Sequence, residues 1–185
     1  MSGKRGLTQA DITDASIALV DSEGASALTL SRVAKELDVK PPSLYNHVDG
    51  LDTLRRNVGM RVAEAFGHQL GRAAMGRSGR DAVVAIAAEF RAYAREHPDL
   101  YGLSTQARPD DVEYTQVATL AIEPVLAVLR AYELDDNELI HAARMFRSAL
   151  HGFVSLEITG GFGIDVDVDA SFDWLVGRVA DSLDS

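Results

Sequence analysis

Apolar positions recur at helical spacing along nearly the whole chain, and no segment alternates as a half-buried strand would. Thr8 precedes Gln9-Ala10-Asp11 in a T-x-x-D capping box. Ile12, Ala15, Ile17, Ala18, Leu19 and Val20 then give one apolar face, and Gly24 ends the helix. Leu28-Thr29-Leu30-Ser31 offers a fresh N-cap, and Ser31 to Leu37 make a second, short helix. Asp38-Val39 is a tight turn. A third helix opens at Lys40-Pro41-Pro42-Ser43, ends near Val48 and is broken by Asp49-Gly50. A long helix follows from about Leu51 to Ala74, with Leu54, Val58, Val62, Phe66 and Leu70 along one face.

Gly76-Arg77-Ser78-Gly79 reads as a linker. Asp81 to Glu96 carries Val83, Ile86 and Phe90 with Tyr93 or Ala94 on one stripe, and Pro98 stops it. Leu100 to Leu103 is a short turn or helix before a polar loop, Gln106 to Asp110. Asp111 to Tyr132 is helical, with a kink expected at Pro124. Asp135-Asp136-Asn137 caps a helix from Glu138 to about Thr159, which Gly160-Gly161 stops. Ile164 to Asp169 is too short and too acidic for a strand. Asp169 or Ser171 caps a last helix with Phe172, Leu175, Val176, Val179 and Leu183 on its apolar face. The prediction is all-α, about nine helices. An N-terminal three-helix head spans residues 1–50, and a larger helical domain spans 51–185.

The head has a helix-turn-helix layout, because its second and third helices are joined by a turn of a few residues. Ala34 suits the close packing of those two helices, and Val33, Leu37, Val39 and Leu44 supply a small core. Pro41 and Pro42 preset φ where missing N–H groups matter least, so the entrance of the third helix is stiff. A short reading element must be rigid to place a few side chains against base edges.

Charge complicates that reading. The chain of 185 residues has a formal net charge of −10. Through Arg56 there are seven Lys and Arg against eight Asp and Glu, whereas the remainder has eleven against twenty. An acidic body disfavours broad nonspecific binding to DNA but leaves room for a nearly neutral reading head. There is no cysteine, which excludes disulfides and thiolate metal sites. No uninterrupted apolar run of membrane-spanning length is present, and MSGKRGLTQAD lacks the apolar core of a signal peptide, so the expectation is a cytoplasmic protein with no membrane association.

The residues Leu30-Ser31-Arg32-Val33-Ala34-Lys35-Glu36-Leu37-Asp38-Val39 and Pro42-Ser43-Leu44-Tyr45-Asn46-His47-Val48, with Ile17 to Gly24 before them, resemble the head of TetR-family transcriptional regulators. The resemblance is firm over roughly residues 7–56 and generic beyond. Leu150-His151-Gly152 looks like a variant of the Trp-His-Gly pattern found in one branch of the family's ligand domains. The resemblance implies a homodimeric repressor released from a palindromic double-stranded DNA operator by a small molecule. Carried over, Lys40, Pro41, Pro42, Ser43, Asn46 and His47 face bases or nearby phosphates, and Tyr45 bonds a phosphate. Thr29, Ser31 and Arg32 touch the backbone at the second helix, Thr8 does so at the first, and Lys4 and Arg5 reach a groove as an arm. Many relatives have lysine just after the third helix. This chain has Asp49 and Asp52, which would repel phosphate and lower the salt slope. Packing inside the small head is the alternative role for Tyr45, and shielding of a helix end is the alternative for His47.

For the effector, Phe66, Phe90, Tyr93 and Tyr101 with Arg147 and His151 are the candidate lining of a largely apolar pocket. His141, Arg144, Ser148, His151 and Ser155 make one polar face, either a pocket wall or a stripe at a dimer interface. The candidate dimer face is Leu150, Val154, Ile158, Phe172, Leu175, Val176 and Val179, packed as a four-helix contact between two copies. Burial within one chain is the alternative. His141 and His151 are ten apart and do not form an H-E-x-x-H pair, and there is no nucleophile elbow or phosphate loop. No enzyme activity, metal or cofactor is expected. The other class left open is an acidic helical adaptor that binds a protein partner and no DNA.

Overall fold

The computed structural model describes residues 6–184. Lys4 and Arg5 lie outside the described residues. Among those residues there are eight α-helices and two short 3-10 helices, with no strand. The α-helices are α1 Gln9–Glu23, α2 Leu30–Glu36, α3 Leu51–Ala74, α4 Gly79–Glu96, α5 Pro98–Ser104, α6 Val112–Leu129, α7 Asp136–Ile158 and α8 Val168–Asp181. Two compact units result. One comprises the residues through Glu64 with Asp99–Ala118, and the other comprises Ala65–Pro98 with Thr119 onward.

In the first unit, α1 starts in a complete capping box. The Thr8 hydroxyl accepts from the Asp11 N–H at 3.2 Å, and the Asp11 carboxylate accepts from the Thr8 N–H at 2.9 Å. Thr29 caps α2 by accepting from the Arg32 N–H at 3.2 Å. The α2 turn ends at Asp38, whose φ of 53° lies in the left-handed region that Asp tolerates better than most residues. Ile12, Val33, Ala34 and Leu44 are fully buried, and Val20, Leu28 and Val48 nearly so. They form the core on which α1, α2 and the segment 41–46 sit.

The segment Pro41–Asn46 departs from the expected α-helix and is a 3-10 helix. The Ser43 N–H donates to the Lys40 carbonyl and the His47 N–H to the Leu44 carbonyl, each at 2.9 Å. Pro41 and Pro42 remove two donors from a stretch of six residues, so few longer-range helical bonds can form. Pro98 differs too: it ends α4 as expected but also begins α5, where its missing N–H is harmless. The last helix is capped by Asp167, ahead of both candidates.

The α5 and α6 backbones come very close to α3. A Cβ added at Gly59 would stand 2.8 Å from the Leu103 carbonyl oxygen, and one at Gly67 would stand 2.7 Å from the Ala121 backbone. Gly59, Ala63, Gly67 and Gly71 fall at four-residue steps, so one stripe of small residues along α3 permits this approach.

In the second unit, α4 packs on both α7 and α8. Val83, Ile86, Leu129, Phe146, Leu150 and Val154 are at most 3% exposed and form its core. The α6 helix continues through Pro124. It is long and apolar enough to cross a membrane by length and composition, with a mean hydropathy of 1.3 and only 17% of it buried. That corrects the expectation that no stretch would qualify. Glu113, Gln116 and Glu123 had hidden it from a search for an uninterrupted run.

Candidate nucleic-acid interface

The 3-10 helix is rooted by one side chain. Leu44 is fully buried, whereas Lys40, Pro41, Pro42, Tyr45 and Asn46 are exposed and Ser43 and His47 half-buried. Tyr45 is 59% exposed, so packing inside the head does not account for it. In a 3-10 helix residues three apart eclipse one another, which sets Pro42 above Tyr45 and Ser43 above Asn46. The result is a short, stiff ridge that exposes a phenol and an amide on consecutive residues.

Thr8, Thr29 and Arg32 among the flanking candidates are already engaged. Thr8 donates its hydroxyl proton to Asp11 at 2.6 Å as part of its cap. Ser31 is exposed on α2. Arg32 is forked between Glu23 at the end of α1 and Glu36 one turn along α2, the latter at 2.9 Å. These two carboxylates push the guanidinium pKa further up, the Glu23 hydrogen bond most strongly. A phosphate at Arg32 would compete with both.

Asp52 is also held. Arg108, in the loop before α6, donates to both of its carboxylate oxygens at 2.8 and 2.9 Å. That bond keeps the Asp52 carboxyl below its ordinary range. One of the two acids that would repel phosphate therefore carries its own counterion. Nothing in the sequence singled out Arg108, because its partner is 56 positions away. Four residues along α3, Arg56 bonds Asp111 and Glu113, so two ion-pair groups tie the first turns of α3 to the start of α6.

Of the effector candidates, Phe66, Phe90 and Tyr93 come together. Phe66 stacks on Tyr93 with centroids 4.5 Å apart and meets Phe90 edge-on at 5.3 Å. Tyr101 is buried on α5 in the first unit. Arg147 and His151 are exposed, away from the buried α7 row of Phe146, Leu150 and Val154. Sequence reasoning missed Arg91, which is 9% exposed on the apolar stripe of α4. It bonds Glu157 at 2.6 and 2.9 Å and Asp169 at 2.6 Å, and its guanidinium lies over the rings of Phe172 and Phe153 at 4.7 and 5.6 Å. Its place on that stripe was the available signal.

The candidate dimer face divides by burial. Leu150, Val154, Phe172, Val176 and Val179 are buried inside the single chain and Leu175 is half-buried, because α7 and α8 turn these residues toward α4. Ile158 is exposed, as are Leu156 on α7 and Trp174 on α8.

Comparison with known proteins agrees with this architecture. Residues 83–179 match the family described as tetracyclin repressor-like, C-terminal domain. The HTH-type transcriptional regulator Rv0681 of Mycobacterium tuberculosis is 42% identical over 180 residues, spanning 96% of this chain and 82% of its own length. Two solved structures share the fold. BioQ, solved with its double-stranded DNA operator, has a TM-score of 0.74 at 22% identity, covering 97% of this chain and 99% of its own. The Streptomyces coelicolor protein ActR, solved in complex with (S)-DNPA, has a TM-score of 0.73 at 18% identity, covering 97% and 98%. With half of its length matched by the family's C-terminal domain and a helix-turn-helix regulator akin to it almost end to end, this chain belongs to the TetR family of transcriptional regulators.

Proposed function

We propose that residues 1–50 read a palindromic operator as part of a homodimer, and that residues 51–185 bind a largely apolar effector that releases it. The supporting observation is the ridge on which Tyr45 and Asn46 stand exposed over the buried Leu44. In this reading Tyr45 bonds a phosphate, and Lys40, Ser43, Asn46 and His47 meet base edges or the backbone beside them. Lys4 and Arg5 serve as an arm. Thr29 and Ser31 contact the backbone, while Arg32 must first loosen its two carboxylates. Two such ridges in a dimer would stand about 34–36 Å apart or somewhat more.

The rings of Phe66, Phe90 and Tyr93 are the proposed apolar wall of the effector site. The exposed face of α7, with Arg147 and His151, suits a second protomer better than a pocket. The effector acts by linkage: it weakens operator binding by its differential affinity for the two conformations and by no more. Localisation in the cytoplasm follows from the same reading.

The test is fluorescence anisotropy with the intergenic DNA beside the protein's own gene, at two salt concentrations, with Tyr45→Ala run alongside. Tight, sequence-selective binding lost in the variant is the expected result. Because Tyr45 is exposed, the variant should melt with the wild type. No selective binding at either salt would favour the acidic-adaptor class instead.

A further inference from the structure

The first unit contains a buried polar group that its own fold does not satisfy. Asn57, on α3, is 8% exposed, and its amide nitrogen is sealed from solvent with no hydrogen-bond partner. Its carbonyl oxygen receives only a long contact, 3.4 Å, from Arg56. Buried amides are nearly always bonded, so an orphan of this kind marks a missing partner. Asn57 lines a groove of about 360 Å³ whose walls include Thr13 and Asp14 of α1, Met60 and Glu64 of α3, and Glu113 of α6.

The charges around the groove narrow the chemistry. Glu113 is neutralised by Arg56 at 2.8 Å. Asp14 has only a loose ion pair with Arg61, at 3.8 Å. Glu64 has no ion pair among the described residues. Behind the groove wall the Asn57 amide has two N–H donors that need an acceptor, and the groove itself presents carboxylates that can take a cation. Met60, unbranched and flexible, is the lining side chain best able to give way.

We propose that this groove is a ligand site for a small amine that also carries a carbonyl, with the carbonyl oxygen accepting from the Asn57 amide and the protonated amine set against Glu64 and Asp14. Phe66, Phe90 and Tyr93 are not among its lining residues, and it lies against α1, the helix that opens at Thr8. Occupancy would pin α1 to α3 and give the regulator a second input.

Procainamide has both groups and is the probe. Benzamide lacks the aliphatic amine, and benzylamine lacks the carbonyl. The readout is the side-chain amide signal of Asn57 in heteronuclear NMR of the full chain without DNA, so failure here leaves operator reading untouched. Procainamide should move that signal saturably, at least roughly tenfold more tightly than either control. Glu64→Gln should weaken binding several-fold, and Asn57→Leu, followed through the Met60 methyl signal because it lacks the amide, should abolish it. Should Asn57→Leu fail to fold, Met60→Trp, which fills the groove, takes its place. An Asn57 signal that stays fixed up to about 10 mM probe, or that moves equally in wild type and Glu64→Gln, would overturn the proposal and leave an ordered water as Asn57's partner.

Discussion

Arg108 closes both arms of its guanidinium on Asp52, so one of the two acids that follow the 3-10 ridge is half of an ion pair and not a free charge. Arg108→Gln should expose that charge and weaken operator binding several-fold at low salt, less at high salt. Asp52→Asn in the same chain should restore it. Anisotropy titrations of the three proteins check this. Unchanged binding in Arg108→Gln would mean Asp52 lies too far from phosphate to matter.

Asp111 has a different sensitivity. The Arg56 hydrogen bond, aided by the Tyr114 N–H, holds its carboxyl down to about 2. Its ordinary value is about 3.9. A depressed carboxyl stabilises the fold above its unfolded value and loses that contribution as pH falls through its folded value. Asp111→Asn should therefore melt below the wild type at neutral pH, with the gap closing between about pH 4 and 2. Paired melting curves across that window give the answer, since other carboxylates cancel in the difference.

Arg91 should show how burial ranks its two acids. The Glu157 side chain is 16% exposed and that of Asp169 is 73%. Glu157→Ala should destabilise by about 3 kcal/mol, because the enclosed guanidinium loses its better partner. Asp169→Asn should cost under about 1 kcal/mol, as exposed pairs do. Urea unfolding of both variants measures the order, and equal losses would contradict it.

Gly67→Ala should go against helix propensity. Alanine in mid-helix gains about 1 kcal/mol over glycine where there is room. Here the new Cβ would meet the Ala121 backbone at 2.7 Å, and backbone cannot swing aside. The variant should melt below wild type. Gly71→Ala, which meets Pro124 at an ordinary 3.4 Å, should melt at or above it.

Much of this fold was legible in the chain. Thr8 and Asp11 announce their box within three residues and it forms as read, while the Asp135-Asp136-Asn137 cluster announces a cap that Asp135 supplies in a second box with Glu138. The stripe at four-residue steps from Leu54 to Leu70 is likewise local, and all five of its residues are buried. What escaped was set by distance in sequence. Arg108 and Asp52, or Arg91 and Glu157, are partners only once helices have packed. Periodicity also says that Phe172 and Val176 need cover without saying whose, and here their own chain supplies it. The 3-10 geometry of residues 41–46 was missed for another reason: two prolines favour a helix start, but in so short a segment they also remove the bonds that would make it α.

The rooting of the 3-10 helix on Leu44 separates two kinds of change. Lys40, Tyr45 and Asn46 can be exchanged with little effect on folding, since substitutions at exposed positions away from special contacts usually alter stability by less than about 0.5 kcal/mol. Leu44 cannot. A lineage carrying this head is free to drift in what it recognises while the scaffold beneath stays fixed, so duplicated copies can part company through a handful of surface substitutions without passing through an unfolded intermediate.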